Sequence, residues 1–337
     1  MNIKENRNFV RKTEALVRPE DVTAISFLGD FNRFLPKKIQ QTMMEKGSRK
    51  IPYMGFIVEP YCFFMAYKIT DVAEAQKMLP DGYEIAEARA FAKGPKYPMM
   101  ILSAFTARTS AFIGTRLEYY IIARNRETGL LSWIISDYET NTNSHDPRNG
   151  FCGYSSEPTV FTTNPYGELI IEFRNSGRGK AFSITADLTK GETAELDQEL
   201  WVEGNLSIDY GGELKDASSK NFSLIFDPVL MKEARRLPID RLDIIENSYL
   251  DTIIEWEKPV CAAYFPFSQH FIIKQNMRRE ELRAEKDLIS LINEFTGSRG
   301  YKTMKGDDLK KPIFRGMLIS GLVNLGIIAV LLLILLI

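Results

Sequence analysis

From about residue 53 the chain alternates short runs of aromatic and β-branched residues with polar, glycine-bearing breaks. The runs begin with "YCFFMAYKI" (61–69), "MMILSAF" (99–105), "TRLEYYIIAR" (115–124) and "LLSWIISDY" (130–138). They continue with "PTVFTT" (158–163), "GELIIEF" (167–173), "KAFSITAD" (180–187), "LWVEGNLSI" (200–208) and "FSLIFD" (222–227). Their length and composition predict strands. The breaks "NRETG", "NPYG", "RNSGRG" and "DYGG" are rich in the residues that close hairpins. Short connections favour antiparallel pairing over helix-bridged parallel strands. One short helix is predicted over "TDVAEAQKMLP" (70–80), with Thr70 or Asp71 as cap and Pro80 past its end. The fold class is therefore β-rich α+β: an antiparallel, partly closed, barrel-like sheet with few short helices.

The pattern changes sharply at the end. Residues 316–337 carry no charge, and 22 residues at helical rise span roughly 33 Å, enough to cross the hydrocarbon of a bilayer. Lys305, Lys310, Lys311 and Arg315 stand just before this run, and positive flanks favour the cytoplasmic side. The N-terminus has no apolar run of the signal-peptide type. The layout predicts a single-pass C-terminal anchor with the main domain cytoplasmic. Upstream, residues 277–296 read as an amphipathic helix, with Leu282, Leu288, Leu291, Ile292 and Phe295 on its apolar face. Residues 297–315 form a basic linker, residues 53–276 the β domain, and residues 1–52 a basic N-terminal segment. Gly316, Ser320 and Asn324 recur at spacing four in the anchor, compatible with self-association or with simple tolerance of small residues.

Charge sharpens this division. Residues 1–50 hold 11 Lys/Arg against 6 Asp/Glu, residues 274–315 hold 11 against 7, and the body between is near −10. Basic ends suit an anionic membrane surface, whereas a nucleic-acid binder wants its basic stripe on the folded domain. No nucleic-acid partner is expected. Three widely spaced cysteines argue for a reducing compartment, and two histidines in all exclude a multi-histidine metal centre. No GxGxxG after a strand, GxxxxGK[ST], GxSxG or HExxH occurs, so no cofactor or metal is expected from those motifs.

Two stretches carry candidate chemistry. In "FIGTRLEYYIIAR", strand alternation places Arg116, Glu118 and Tyr120 on one face. In a closed sheet these could line a cavity, with Arg116 and Tyr120 holding a carboxylate and Glu118 moving a proton. On an open sheet they are a solvent-facing ion pair. In "SHDPRNGFCGYSS" (144–156), His145 and Asp146 could form an acid–base pair, with Arg148 and Asn149 on the ligand. The same residues are also plain turn signals. His270, in "YFPFSQHFII", reads as a structural histidine.

Residues 58–160 resemble the acetoacetate decarboxylase-like family. The likeness is carried by "YCFFMAYKITDVAEAQKMLPDGYEIAEARAF" and then "SAFIGTRLEYYIIARNRETGLLSWIISDYETNTNSHDPRNGFCGYSS". The resemblance implies a β-rich domain around a buried pocket, often in homo-oligomers. It also implies chemistry through a Schiff-base lysine whose pKa is lowered by a second lysine and an apolar site. The stretch that corresponds to the family's lysine segment here, "NSHDPRNGFCGYSS", has no lysine. Lys180, in "GRGKAFSI", is an amine on a later strand supported by residue type alone.

These readings converge on a membrane-tethered pocket for a small or lipid-like oxo or carboxylic acid, acting as a lyase without the usual lysine. A non-catalytic binder of a lipid or small carboxylate, or a scaffold at the cytoplasmic face, are the alternatives.

Overall fold

In the computed structural model the described residues are 53–109, 113–141, 144–146, 150–152, 155–157, 159–215, 222–226, 232–275 and 306–336, with isolated positions 10, 13, 14, 17, 36, 38 and 39. The amphipathic helix expected over 277–296 lies outside them, as do Arg148 and Asn149.

The chain opens with β1 (Tyr53–Val58), β2 (Cys62–Lys68), the short helix α1 (Val72–Lys77), β3 (Tyr83–Ile85) and β4 (Glu87–Ala88). Three long strands follow: β5 (Tyr97–Thr109), β6 (Ile113–Asn125) and β7 (Leu131–Thr140). A small hairpin, β8 (Ser144–Asp146) and β9 (Gly150–Cys152), leads into β10 (Val160–Thr163), β11 (Glu168–Asn175) and β12 (Lys180–Asp187). Next come β13 (Glu192–Thr193), β14 (Ile208–Tyr210), β15 (Phe222–Phe226), β16 (Arg235–Leu237) and β17 (Leu242–Asn247). The series ends with β18 (Cys261–Phe265), β19 (Gln269–Gln275) and the long helix α2 (Gly306–Leu336). Asp71 caps α1, its side chain accepting from the Glu74 N–H at 2.9 Å.

Seven of these strands close into a barrel. In order around the ring they are β5, β1, β19, β15, β14, β7 and β6, and β6 pairs back to β5. All pairings are antiparallel except one, where β14 runs parallel to β7 and sets Ile208 beside Trp133. That single long-range pairing shuts a sheet that would otherwise remain open. Strand β5 is long enough to split its outer edge, pairing β2 through Met99–Ala104 and β1 through Ala107–Thr109. From β2 a wing extends through β18 and β16 to β13. A separate four-stranded sheet runs β10-β11-β12-β17.

Alternation along the strands divides the apolar residues into two cores. The first fills the lumen and holds Phe64, Ile101, Ile122, Trp133 and Trp201. The second lies between the outside of the barrel wall and the four-stranded sheet. There Tyr67, Leu102, Tyr119 and Ile121 meet Phe173, Phe182 and Ile184. The wall is thus buried on both faces, which is why β2 and β5 read as nearly continuous apolar runs rather than clean alternation.

One predicted strand is replaced. "LWVEGNLSI" forms a π-helical turn over Glu199–Glu203 and a 3-10 turn over Gly204–Leu206, and becomes strand only at Ile208. Its leading residues do not alternate, because Leu200 and Trp201 are both buried. Asp197 ties the turn by accepting from the Leu200 N–H, and the Trp133 indole N–H donates to the Leu200 carbonyl. Gly204 packs so closely that an added Cβ would lie 2.6 Å from Trp133 Nε1. This segment lays Leu196, Trp201 and Asn205 against the lumen.

Part of the basic N-terminal segment meets the barrel. Thr13 and Val17 are buried, and Glu14 Oε1 lies 3.6 Å from His270 Nε2. In β19, His270 pairs with Ile57, which also pairs with Arg108, so His270 and Arg108 flank Ile57 on one sheet face. Burial lowers the His270 pKa, Glu14 opposes that shift, and the Arg108 charge adds to it. The sign follows from linkage. Below about pH 6.5 the unfolded chain binds a proton that folded His270 resists, so stability is full above that pH and falls as the medium is acidified. Urea midpoints measured between about pH 7.5 and about pH 5.5 should drop in the wild type. The drop should be shallower in His270→Gln; an identical slope would remove His270 from the account.

Helix α2 begins at Gly306, so residues 306–315 of the expected linker are helical. Within it Phe314–Ile334 has a mean hydropathy of 2.7 and none of its surface buried, long and apolar enough to cross a membrane.

Candidate functional site

The lumen of the barrel holds a cavity of about 80 Å³. Each of the seven barrel strands sends at least one side chain to its wall. These are Phe56 from β1, Phe105 from β5 and Tyr120 from β6. The other four are Trp133 from β7, Ile208 from β14, Leu224 from β15 and Phe271 from β19. The wing adds Cys62 and Phe265, and the turn before β14 adds Trp201 and Asn205. The rings brace one another. Tyr120 and Trp133 meet edge to face at 5.0 Å, Trp133 and Trp201 at 5.0 Å, and Phe56 stacks on Phe271 at 4.8 Å.

Few polar atoms reach this space. Ser103 Oγ and Cys62 Sγ lie 3.8 Å apart, and burial pushes the Cys62 thiol up to about 12, with Glu118 adding to the shift and Ser103 opposing it. A thiol so placed is not a ready nucleophile. Both tryptophan N–H groups are already used, Trp133 on the Leu200 carbonyl and Trp201 on the Ala90 carbonyl. Asn205 Nδ2 donates to the Trp201 carbonyl. Gln269 is different: it lines the cavity, is buried, and its Oε1 has no hydrogen-bond partner among the described residues. An unpaired buried acceptor is costly, on the order of 1–3 kcal/mol, unless something supplies a donor.

Arg116, Glu118 and Tyr120 share the inward face of β6, as their spacing predicted. Tyr120 joins the lumen core, while Leu117, Tyr119 and Ile121 join the outer one. Arg116 and Glu118 do not reach the cavity wall, however. Arg116 Nε donates to Glu118 Oε1 at 2.6 Å, and the Tyr120 hydroxyl donates to Glu118 Oε2. The guanidinium also lies over the Tyr138 ring at 5.0 Å. Burial works against the Arg116 charge, and Glu118, Tyr138 and Tyr210 outweigh it, so its pKa moves upward overall. The same burial and the same Glu118 push the Tyr120 phenol well above its ordinary range. Both oxygens of Glu118 are therefore engaged, one with Arg116 Nε and the other with the Tyr120 hydroxyl.

No lysine lines the cavity among the described residues. Lys180 begins β12 in the four-stranded sheet, donating to the Ser248 carbonyl at 2.5 Å with its ammonium 5.8 Å from the Tyr249 ring centre. It stands away from the lumen.

His145 and Asp146 fall in the β8–β9 hairpin, where His145 pairs with Phe151 and Asp146 with Gly150. Residues 147–149, between the two strands, lie outside the described residues.

Sequence reasoning did not single out Cys62, Ser103, Trp133, Trp201 or Gln269. For Gln269 a signal existed: in "YFPFSQHFII" the period of two that sets His270 outward sets Gln269 and Phe271 inward.

Among solved structures the chain is similar to an acetoacetate decarboxylase from Legionella pneumophila, at 14% identity and a TM-score of 0.43. That match covers 68% of this chain and 88% of the other. A second acetoacetate decarboxylase structure matches at 13% identity and a TM-score of 0.41, covering 67% of this chain and 89% of its own. No family model and no curated protein matches the chain. The likeness is weak, and the closed barrel is defined by the strand pairings themselves.

Proposed function

We propose that this chain is a membrane-tethered barrel whose lumen binds a compact small molecule without forming a covalent bond to it. The carrying observation is the composition of the cavity wall among the described residues: aromatic and aliphatic side chains from all seven strands, one unpaired amide oxygen, and no amine. Such a wall is that of a binding pocket, in which shape provides affinity and one polar group sets orientation. The size narrows the ligand. An engineered apolar cavity that takes benzene measures about 150 Å³, so a space of about 80 Å³ suits a smaller body and excludes a long acyl chain. A lyase reading needs a group to receive or deliver a proton at the cavity. Glu118 is held behind Tyr120 by two hydrogen bonds, and this favours binding over turnover.

The tether is supported by α2, whose Phe314–Ile334 stretch is largely apolar with no residue buried among those described. Leaving so much apolar surface in water would cost about 25 cal/mol for every Å², which a bilayer removes.

Sodium borohydride reduction with acetoacetate tests the absence of Schiff-base chemistry on the detergent-solubilised full chain. Intact mass spectrometry should show no reduced adduct, and a stoichiometric adduct would overturn the reading. In the same preparations, removing residues 306–337 should move the chain from the membrane pellet to the supernatant.

A further inference from the structure

We propose that the lumen ligand is a small neutral alcohol, a body of about four non-hydrogen atoms such as propan-2-ol, held by its hydroxyl at Gln269. The inference rests on the reading above, that the lumen takes a compact molecule, and adds its charge and functional group.

The support is a match of donors to acceptors. Gln269 is 5% exposed, lines the cavity, and has no partner for its Oε1 among the described residues. Donors are present as well. The same amide carries N–H groups of its own, and the Ser103 hydroxyl lines the same space, 3.8 Å from Cys62 Sγ. Asn205 Nδ2 and both cavity indoles already donate to backbone carbonyls. A ligand suited to this wall supplies one donor and also accepts. A hydroxyl does both with a single atom. A ketone of the same size has no donor and leaves Oε1 unmet. A primary amide or an ammonium brings two or three N–H donors to a single unpaired acceptor, and the surplus would be buried without partners. A carboxylate brings no donor and a charge, and no Lys, Arg or His side chain lines the cavity among the described residues.

Size and wall agree with this. An apolar cavity of about 150 Å³ takes benzene, so about 80 Å³ suits a body of roughly four non-hydrogen atoms. A single water fills about 30 Å³ and would leave much of the apolar wall without contacts. Phe56, Phe105 and Phe271 offer the methyl groups of a short alcohol the surface that water cannot use. So few atoms hold the affinity to the micromolar-to-millimolar range.

The test is saturation-transfer NMR on the full chain in nanodiscs, with empty nanodiscs as the blank, a method that reads weak ligands in exchange. The probes share one branched heavy-atom skeleton: propan-2-ol, acetone, acetamide and acetate. Propan-2-ol should give a saturable signal, acetone and acetamide should bind about tenfold more weakly, and acetate should give none. Gln269→Leu should abolish the preference for propan-2-ol over acetone. If acetone or acetamide binds as tightly as propan-2-ol, or the preference survives in Gln269→Leu, the alcohol assignment falls and the compact-ligand reading stands. A signal unchanged in Leu224→Trp, which fills the lumen, would place the binding elsewhere and overturn both. If no probe gives a saturable signal, water alone fills the lumen and both readings fall together.

Discussion

Replacing Arg116 by leucine should destabilise the protein by about 3–5 kcal/mol, because it leaves the Glu118 carboxylate buried without its cation. The side chains of both partners are largely shielded, 14% exposed for Arg116 and 9% for Glu118, so water cannot easily take over. Tyr120 alone would then hold the carboxylate, a single hydrogen bond where there had been an ion pair and two. The companion result is as informative. Arg116→Leu combined with Glu118→Leu should recover most of the loss, since an apolar pair of similar volume removes both the attraction and the desolvation it offset. Denaturant unfolding of the two single variants and the double variant measures this directly. A double variant as unstable as the sum of the singles would mean that the two residues act separately, and the account of Glu118 as a locked carboxylate would fail.

The second large effect is expected at Trp133. Its indole sits in the lumen core, stacks edge-on with Tyr120 and Trp201, and donates to the Leu200 carbonyl. Trp133→Ala removes that packing and strands the carbonyl, and should lower stability by about 3–5 kcal/mol. Trp133→Phe keeps a ring and should lose much less, on the order of 1–2 kcal/mol, mainly for the missing N–H. Both variants lose the indole hydrogen bond, so the difference between them reports ring packing and the Trp133→Phe loss reports the bond. Equal losses would assign the whole effect to the bond.

Local features of this fold were legible in the sequence, and non-local ones were not. The segment "KAFSITAD" matches β12 residue for residue, because its two ends are marked by a glycine turn and an Asp187 cap. Alternation in "TRLEYYIIAR" separates Tyr120, in the lumen core, from Leu117, Tyr119 and Ile121, in the outer one, but leaves open whether the Arg116 face meets a cavity or solvent. Alternation does not reveal what faces a residue, and so the ion pair that keeps Arg116 and Glu118 from the cavity was not visible. The strand pattern predicts a partly closed, barrel-like sheet, and the structure has a closed one. What the pattern does not show is the closing pair, Ile208 beside Trp133 in a parallel contact that hairpin rules do not anticipate. The misread "LWVEGNLSI" shows a different limit. Its residues favour strands, but Gly204 against the Trp133 indole and Asp197 beneath Leu200 stabilise a tight turn instead. The cavity wall was the least legible part, since its members come from seven strands, a wing and a turn.

The absent lysine can now be placed in physical terms. The stretch "NSHDPRNGFCGYSS" has no lysine, and its residues 144–146 and 150–152 form the β8–β9 pair. No lysine lines the lumen among the described residues, and Lys180 is occupied on the outer sheet. The lumen wall is aromatic and aliphatic, with one buried acceptor unpaired among the described residues.

Native mass spectrometry of the full chain, gently extracted in mild detergent, tests the binding claim most directly, with Leu224→Trp as the blocked comparison. The account predicts that the wild type carries a single small non-covalent mass, on the order of 100 Da for a body that fits the lumen, shed on mild collisional activation. It predicts that the blocked variant carries none. The same mass on both proteins, or none on either, would contradict the claim that the barrel interior is a ligand site.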